Sequence, residues 1–243
     1  MELELKKECL DTYELGEPQT LTQEETAETI VPDYCPDIAR IISAEGVVCL
    51  HGGTEQDGVT GTVRVTVLYT PENESGVRAL EFAMPFSAQG EGLAGCAHVV
   101  VETEIELLES RMLNPRKIFT RCKLVTHLAG CRKVCLTISS DAETDPALLV
   151  EKRCCGQTVS LLRQVAEKDL TFSETMSLSL GREGAAELLH CRANGIVTET
   201  KAIGNKLIFK GVFLVSALYR TIGGQLASAS AELPFSQIME TDS

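Results

Sequence analysis

The stretch Gly61 to Tyr69, GTVRVTVLY, returns as Gly211 to Tyr219, GVFLVSALY, with Gly, Val, Leu and Tyr in register. A strand written twice implies a duplicated unit, and that restricts the chain to folds in which two similar bodies each bury one copy. In the first copy Val63, Val65, Val67 and Tyr69 alternate with Thr62, Arg64, Thr66 and Leu68. This is the period-two pattern of a half-buried strand. The repeat extends in both directions. Leu21, Thr22, Glu25 and Thr26 reappear 149 places later as Leu170, Thr171, Glu174 and Thr175. The same offset pairs Ala44, Gly46 and Val48 with Ala193, Gly195 and Val197, and Pro85-Phe86-Ser87 with Pro234-Phe235-Ser236.

The 243 residues suffice for two ordinary domains, and 44% hydrophobic with 23% charged residues is a globular balance. Strand patterns dominate. Val77 to Met84 reads as the return strand after Tyr69. Val99, Val101, Thr103, Ile105 and Leu107 alternate with a glutamate-bearing face, and Ile118 to Leu128 reads as a further strand, with Val134 to Ile138 closing the unit. Ile196 to Thr200 and Leu207 to Tyr219 are the long strand patterns of the second copy. Short helices are expected at Pro36 to Ile42, where Ile38, Ile41 and Ile42 have one-face helical spacing, and at Ala185 to Cys191. Met1 to Gly16 fits neither pattern, and Thr158 to Lys168 is ambiguous between them. The reading is therefore a mainly β fold of tandem antiparallel units, each a sandwich or a partly open barrel, with short helices. The first unit is assigned to residues 1–138, a linker to 139–147 and the second unit to 148–243. Nothing aligned with Val99 to Leu128 follows the second PFS, so the second unit is expected to be incomplete. Either the chain is a piece of a longer one, or a neighbour pairs with the incomplete sheet edge, which includes self-association.

A net charge of −13 repels phosphate backbones and anionic headgroups, so neither nucleic acid nor an acidic membrane surface is expected as a partner. No segment is long and apolar enough for a transmembrane helix, and the first residues lack the apolar core of a signal peptide. A cytoplasmic setting follows, with the ten cysteines expected as reduced thiols. Asp33 and Asp37 are the most suggestive carboxylate pair, but turn formation and capping account for two short acidic side chains flanking a proline. They are kept as a contact patch with Pro32, Tyr34 and Pro36. Cys131 and Cys135 with His127, and the vicinal Cys154 and Cys155, could offer thiolates to zinc, but lack a CxxC spacing. Cys49 with His51 lacks an orienting carboxylate, and Gly52-Gly53 and Gly90 to Gly95 do not form a phosphate loop. No catalytic residue, cofactor or metal is assigned.

The segment VPDYCPDIARI, Val31 to Ile41, followed by a glycine-containing turn, the V-x-V-x-V-L-Y strand and a PF dipeptide, resembles the SPOCS domain of SipL-like spore-morphogenesis proteins. The resemblance spans Val31 to Leu128 and, more weakly, Leu170 to Ser236, where SLGREGAAE stands in place of the signature. It implies a non-enzymatic structural and interaction protein of endospore formation, working in the mother-cell cytoplasm at the forespore surface with a spore morphogenesis or coat protein as partner. Two rival classes are a β-rich module binding peptide or glycan in a groove with exposed aromatics, and a thiol- or zinc-dependent protein.

Overall fold

The computed structural model describes residues 4–51, 58–143 and 183–240, with positions 151, 153, 156, 158–163, 165, 166, 173 and 175 between them. Within these the regular structure is all strand: β1 Glu4–Leu15, β2 Gln19–Ile30, β3 Ile38–His51, β4 Gly58–Pro71, β5 Arg78–Gln89, β6 His98–Asn114, β7 Lys117–Glu143, β8 Ala185–Ile203, β9 Lys206–Thr221 and β10 Leu226–Glu240. All pairings are antiparallel, in three sheets.

The first sheet is built on β7. Its opening half pairs with β6 on one edge and β2 on the other, and its far half pairs with β1. Leu15 stands opposite Cys131 and Gln19 opposite Leu128, so β1 and β2 follow one another along a single edge of this 27-residue strand. The second sheet is the meander β3-β4-β5. The predicted alternation holds on β4, where Val63, Val65, Val67 and Tyr69 are fully buried. They meet Leu80, Met84 and Phe86 of β5 and Ile118, Cys122 and Leu124 of β7, with Val31 and Ile38 sealing one end. Each large side chain removed from water in this way contributes about 1.5–3 kcal/mol. β3 lies against β6 and β2 against β5 without ladder pairing, so the first unit is a sandwich and not a closed barrel. The buried hydroxyls of Thr126 and Thr120 are satisfied across the ladder by Thr103 at 3.1 Å and Ser110 at 2.8 Å.

The two expected helices are strands. Ile38 to Ile42 opens β3, with irregularities between Ile38 and Arg40 and between Ile41 and Ser43. Each extra residue resets the alternation, so Ile38 and Ile41 both reach the core at a spacing that imitates a helix. β8 repeats the device, with irregularities between Ala185 and Glu187 and between Leu188 and His190, where the second helix was expected. Val134 to Ile138 belongs to the same strand as Ile118 to Leu128. β7 runs on to Glu143, so the first residues of the expected linker are strand and residues 144–147 lie outside the described residues. The expectation of thiols throughout is corrected at one pair, since Cys9 on β1 and Cys135 on β7 are joined in a disulfide.

The third sheet, β8-β9-β10, repeats the order of β3-β4-β5. Gly61 faces Phe86 as Gly211 faces Phe235. A Cβ on Gly61 would stand 2.4 Å from the Phe86 ring, and one on Gly211 would stand 2.7 Å from the Phe235 ring. The repeated glycine and the repeated PFS are thus one device, a ring laid over bare backbone. What differs is the cover. Val65 and Met84 are buried beneath the first sheet, whereas their counterparts Val215 and Leu233 are half-exposed and Val197 is 55% exposed. Among the described residues no strand pair equivalent to β6 and β7 lies over the third sheet. It is fastened to the sandwich by Glu187, whose Oε2 takes Arg78 at 2.8 Å and Arg220 at 2.7 Å.

Candidate interaction loop

Between β2 and β3 the chain runs through Val31, Pro32, Asp33, Tyr34, Cys35, Pro36 and Asp37, and its shape is set from outside. The β6–β7 turn, Asn114-Pro115-Arg116-Lys117, is held by Asn114 Oδ1 accepting from the Arg116 amide at 2.9 Å. Its backbone takes both ends of the loop: Val31 N–H donates to Arg116 O, and Ile38 N–H to Pro115 O, each at 2.9 Å. The Arg116 side chain then fills the centre. Nη1 donates to Cys35 O at 2.8 Å and to Asp37 Oδ1 at 3.0 Å. Nη2 donates to Val31 O at 2.9 Å and to Asp33 Oδ1 at 3.0 Å. Only a planar guanidinium with donors fixed in a fork can satisfy two carbonyls and two carboxylates from one position.

This arrangement assigns the signature residues. Asp33 and Asp37 converge on one cation instead of on a shared cleft, and with no helix to cap, their task is to hold Arg116. Pro32 begins a tight turn closed by Cys35 N–H donating to Pro32 O at 2.9 Å, and Pro36 O accepts from the Tyr69 hydroxyl at 3.3 Å. Tyr69 is fully buried beneath the loop; burial first, and then its neighbour Cys35, push its pKa up to about 12. Tyr34, in the centre of the turn, is 88% exposed, and packing does not account for it. Sequence reasoning grouped the five loop residues but missed Arg116, which stands about 80 residues away with no local signal in its NPRK turn.

The other candidates do not assemble. Cys135 is bonded to Cys9, Cys131 is buried, and His127 Nδ1 is 3.0 Å from Thr20 Oγ1. His51 Nε2 meets Thr62 Oγ1 at 3.1 Å instead of Cys49. Among the described residues no three His, Cys, Asp or Glu side chains are grouped to hold a metal; Cys154, Cys155, Gly52 and Gly53 lie outside those residues. Burial, with the charge of Glu25 second, raises the Cys122 thiol to about 11, the opposite of what a nucleophile needs. A groove of about 950 Å³ separates β8 from the sandwich; it is lined by Glu45, Arg64, Glu81, Glu104, His190 and Arg192, with the half-buried Phe82 as its aromatic.

The third sheet carries a similarity to a known family. Residues 185–242 match the family model of the SipL, SPOCS domain. The match takes in β8, β9 and β10 from end to end, on the copy that lacks the PDYCPD segment. The matched stretch contains the Gly211–Phe235 contact and buried Tyr219, and the first unit builds a meander of the same strand order with Gly61, Phe86 and Tyr69 at the corresponding places. No curated protein matches the chain. No solved structure matches it. No helix among the described residues is long and apolar enough to cross a membrane.

Proposed function

We propose that this chain is a non-enzymatic structural and protein-interaction protein of bacterial endospore formation, acting in coat or envelope morphogenesis at the forespore surface from the mother-cell cytoplasm. The observation that carries the reading is the SPOCS match over the third sheet. The site chemistry is in keeping with it. Both loop carboxylates are engaged by Arg116, so neither is poised as a general acid or base. A net charge of −13 suits protein partners with basic surfaces and opposes phosphate backbones. Self-association through the edges of the third sheet belongs to the same reading, since β8 and β10 each carry a ladder edge not paired within that sheet.

The test is fluorescence microscopy of the tagged full-length gene product through sporulation in its own host. A ring at the forespore is the expected result. Diffuse signal unchanged from vegetative growth would overturn the proposal and favour a peptide-binding role for the groove. Sedimentation velocity of the purified chain checks self-association, which predicts a mass above the monomer that rises with concentration.

A further inference from the structure

We propose that Tyr34 is the anchor of a protein-docking site, and that the partner offers an apolar pocket with a basic rim. This rests on the interaction reading above and names the contact within it. Isolated exposed apolar side chains are ordinary on protein surfaces. Tyr34 differs because the backbone beneath it is immobilised. The turn is flanked by Pro32 and Pro36, closed by its own hydrogen bond, tied at both ends to the β6–β7 turn, and threaded by the four Arg116 side-chain bonds. The aromatic ring is thus displayed on a rigid pedestal at 88% exposure, with Ile30 also open at 73% just before the loop.

A rigid, exposed tyrosine loses little conformational entropy on docking, and tyrosine is among the residues that dominate interface energetics. The surrounding charge selects the partner. Asp33 and Glu72 are exposed beside the turn, and the Asp37 carbonyl accepts from the Glu72 amide at 2.9 Å. Arg116 bonds Oδ1 of each aspartate, which leaves the second oxygen of each for a basic rim. The second unit has SLGREGAAE in place of this loop, so the docking site belongs to the first unit alone.

The experiment places the photoreactive amino acid p-benzoylphenylalanine at position 34 of the full-length protein in sporulating host cells, with position 203 on the third sheet as control. Ile203 is 61% exposed, so both probes are open to solvent. The expected result is an adduct from position 34 that is absent from position 203, and whose cross-linked peptide is apolar and flanked by Lys or Arg. No adduct from 34 above the control, or an acidic peptide, would overturn the proposal. Cross-linking reads Tyr34 wherever the protein resides, so its outcome is independent of the forespore ring. In the same cells Tyr34→Ala should abolish the adopted localisation and Tyr34→Phe should keep most of it, with melting temperatures of both purified variants unchanged. Where the wild type forms a forespore ring, a Tyr34→Ala protein that keeps the ring would also refute the assignment.

Discussion

Replacing Arg116 with alanine removes four hydrogen bonds and leaves two carbonyls of the loop without their donor. The Val31 and Cys35 carbonyls lose about 1 kcal/mol each, a moderate value for a bond from a charged donor that keeps some contact with water. The Asp37 pair, partly exposed, adds about 0.5 kcal/mol, and fully exposed Asp33 is given no share. The total is about 2.5 kcal/mol, which for a chain of this size lowers Tm by roughly 5–10 °C. Two backbone bonds between the turns remain, so the loop loosens but the sandwich stays folded. Thermal melts followed by circular dichroism at low salt and at 1 M NaCl test this. Most of the loss should persist in salt, because screening reaches the aspartates and not the carbonyl bonds. Arg116→Lys should recover less than half, since an ammonium cannot span both carbonyls. An Arg116→Ala protein melting within about 1 °C of wild type would refute the argument that the clamp defines the loop.

Gly61→Ala should destabilise by about 1–3 kcal/mol through overpacking, because the new Cβ meets the Phe86 ring at 2.4 Å and Cys49 O at 2.9 Å; urea denaturation of the single variant and of Gly61→Ala with Phe86→Ala should show the two costs to be non-additive. Tyr69 keeps its proton in the folded protein up to about 12 and loses it near 10 when unfolded, so stability should fall as pH rises from 10 to 12, with a late phenolate step in ultraviolet titration. A Tyr69→Phe variant should lose that slope. Alkylation at pH 8 should modify exposed Cys191 and spare fully buried Cys122, whose thiol titrates near 11; mass spectrometry showing Cys122 labelled first would contradict its burial.

Much of the architecture was legible where two residues sufficed to define a face. The alternation of Val63, Val65, Val67 and Tyr69, and the glutamates opposite Val101 and Thr103, each specify a strand and its buried side. The strand β2 escaped because its inward positions, Gln19, Leu21, Gln23, Glu25, Ala27 and Thr29, are largely polar, so a half-buried strand carries no hydrophobic period there. β3 and β8 were misread for a different reason. A bulge shifts phase by one residue: in β3 two of them bring Ile38 and Ile41 to the core at helical spacing, and in β8 two break the alternation between Ala185 and His190.

The sequence by itself determined the duplication, the β class and the grouping of Pro32, Asp33, Tyr34, Pro36 and Asp37, because repeats, alternation and turn chemistry are local properties of a chain. Only the tertiary structure decided that Arg116 gathers both aspartates, that the ring of each PFS covers a glycine on the neighbouring strand, and that the first meander is covered by β2, β6 and β7. Those contacts join residues 24 to about 90 positions apart, and no local pattern encodes which strand edge or which turn a distant side chain will meet.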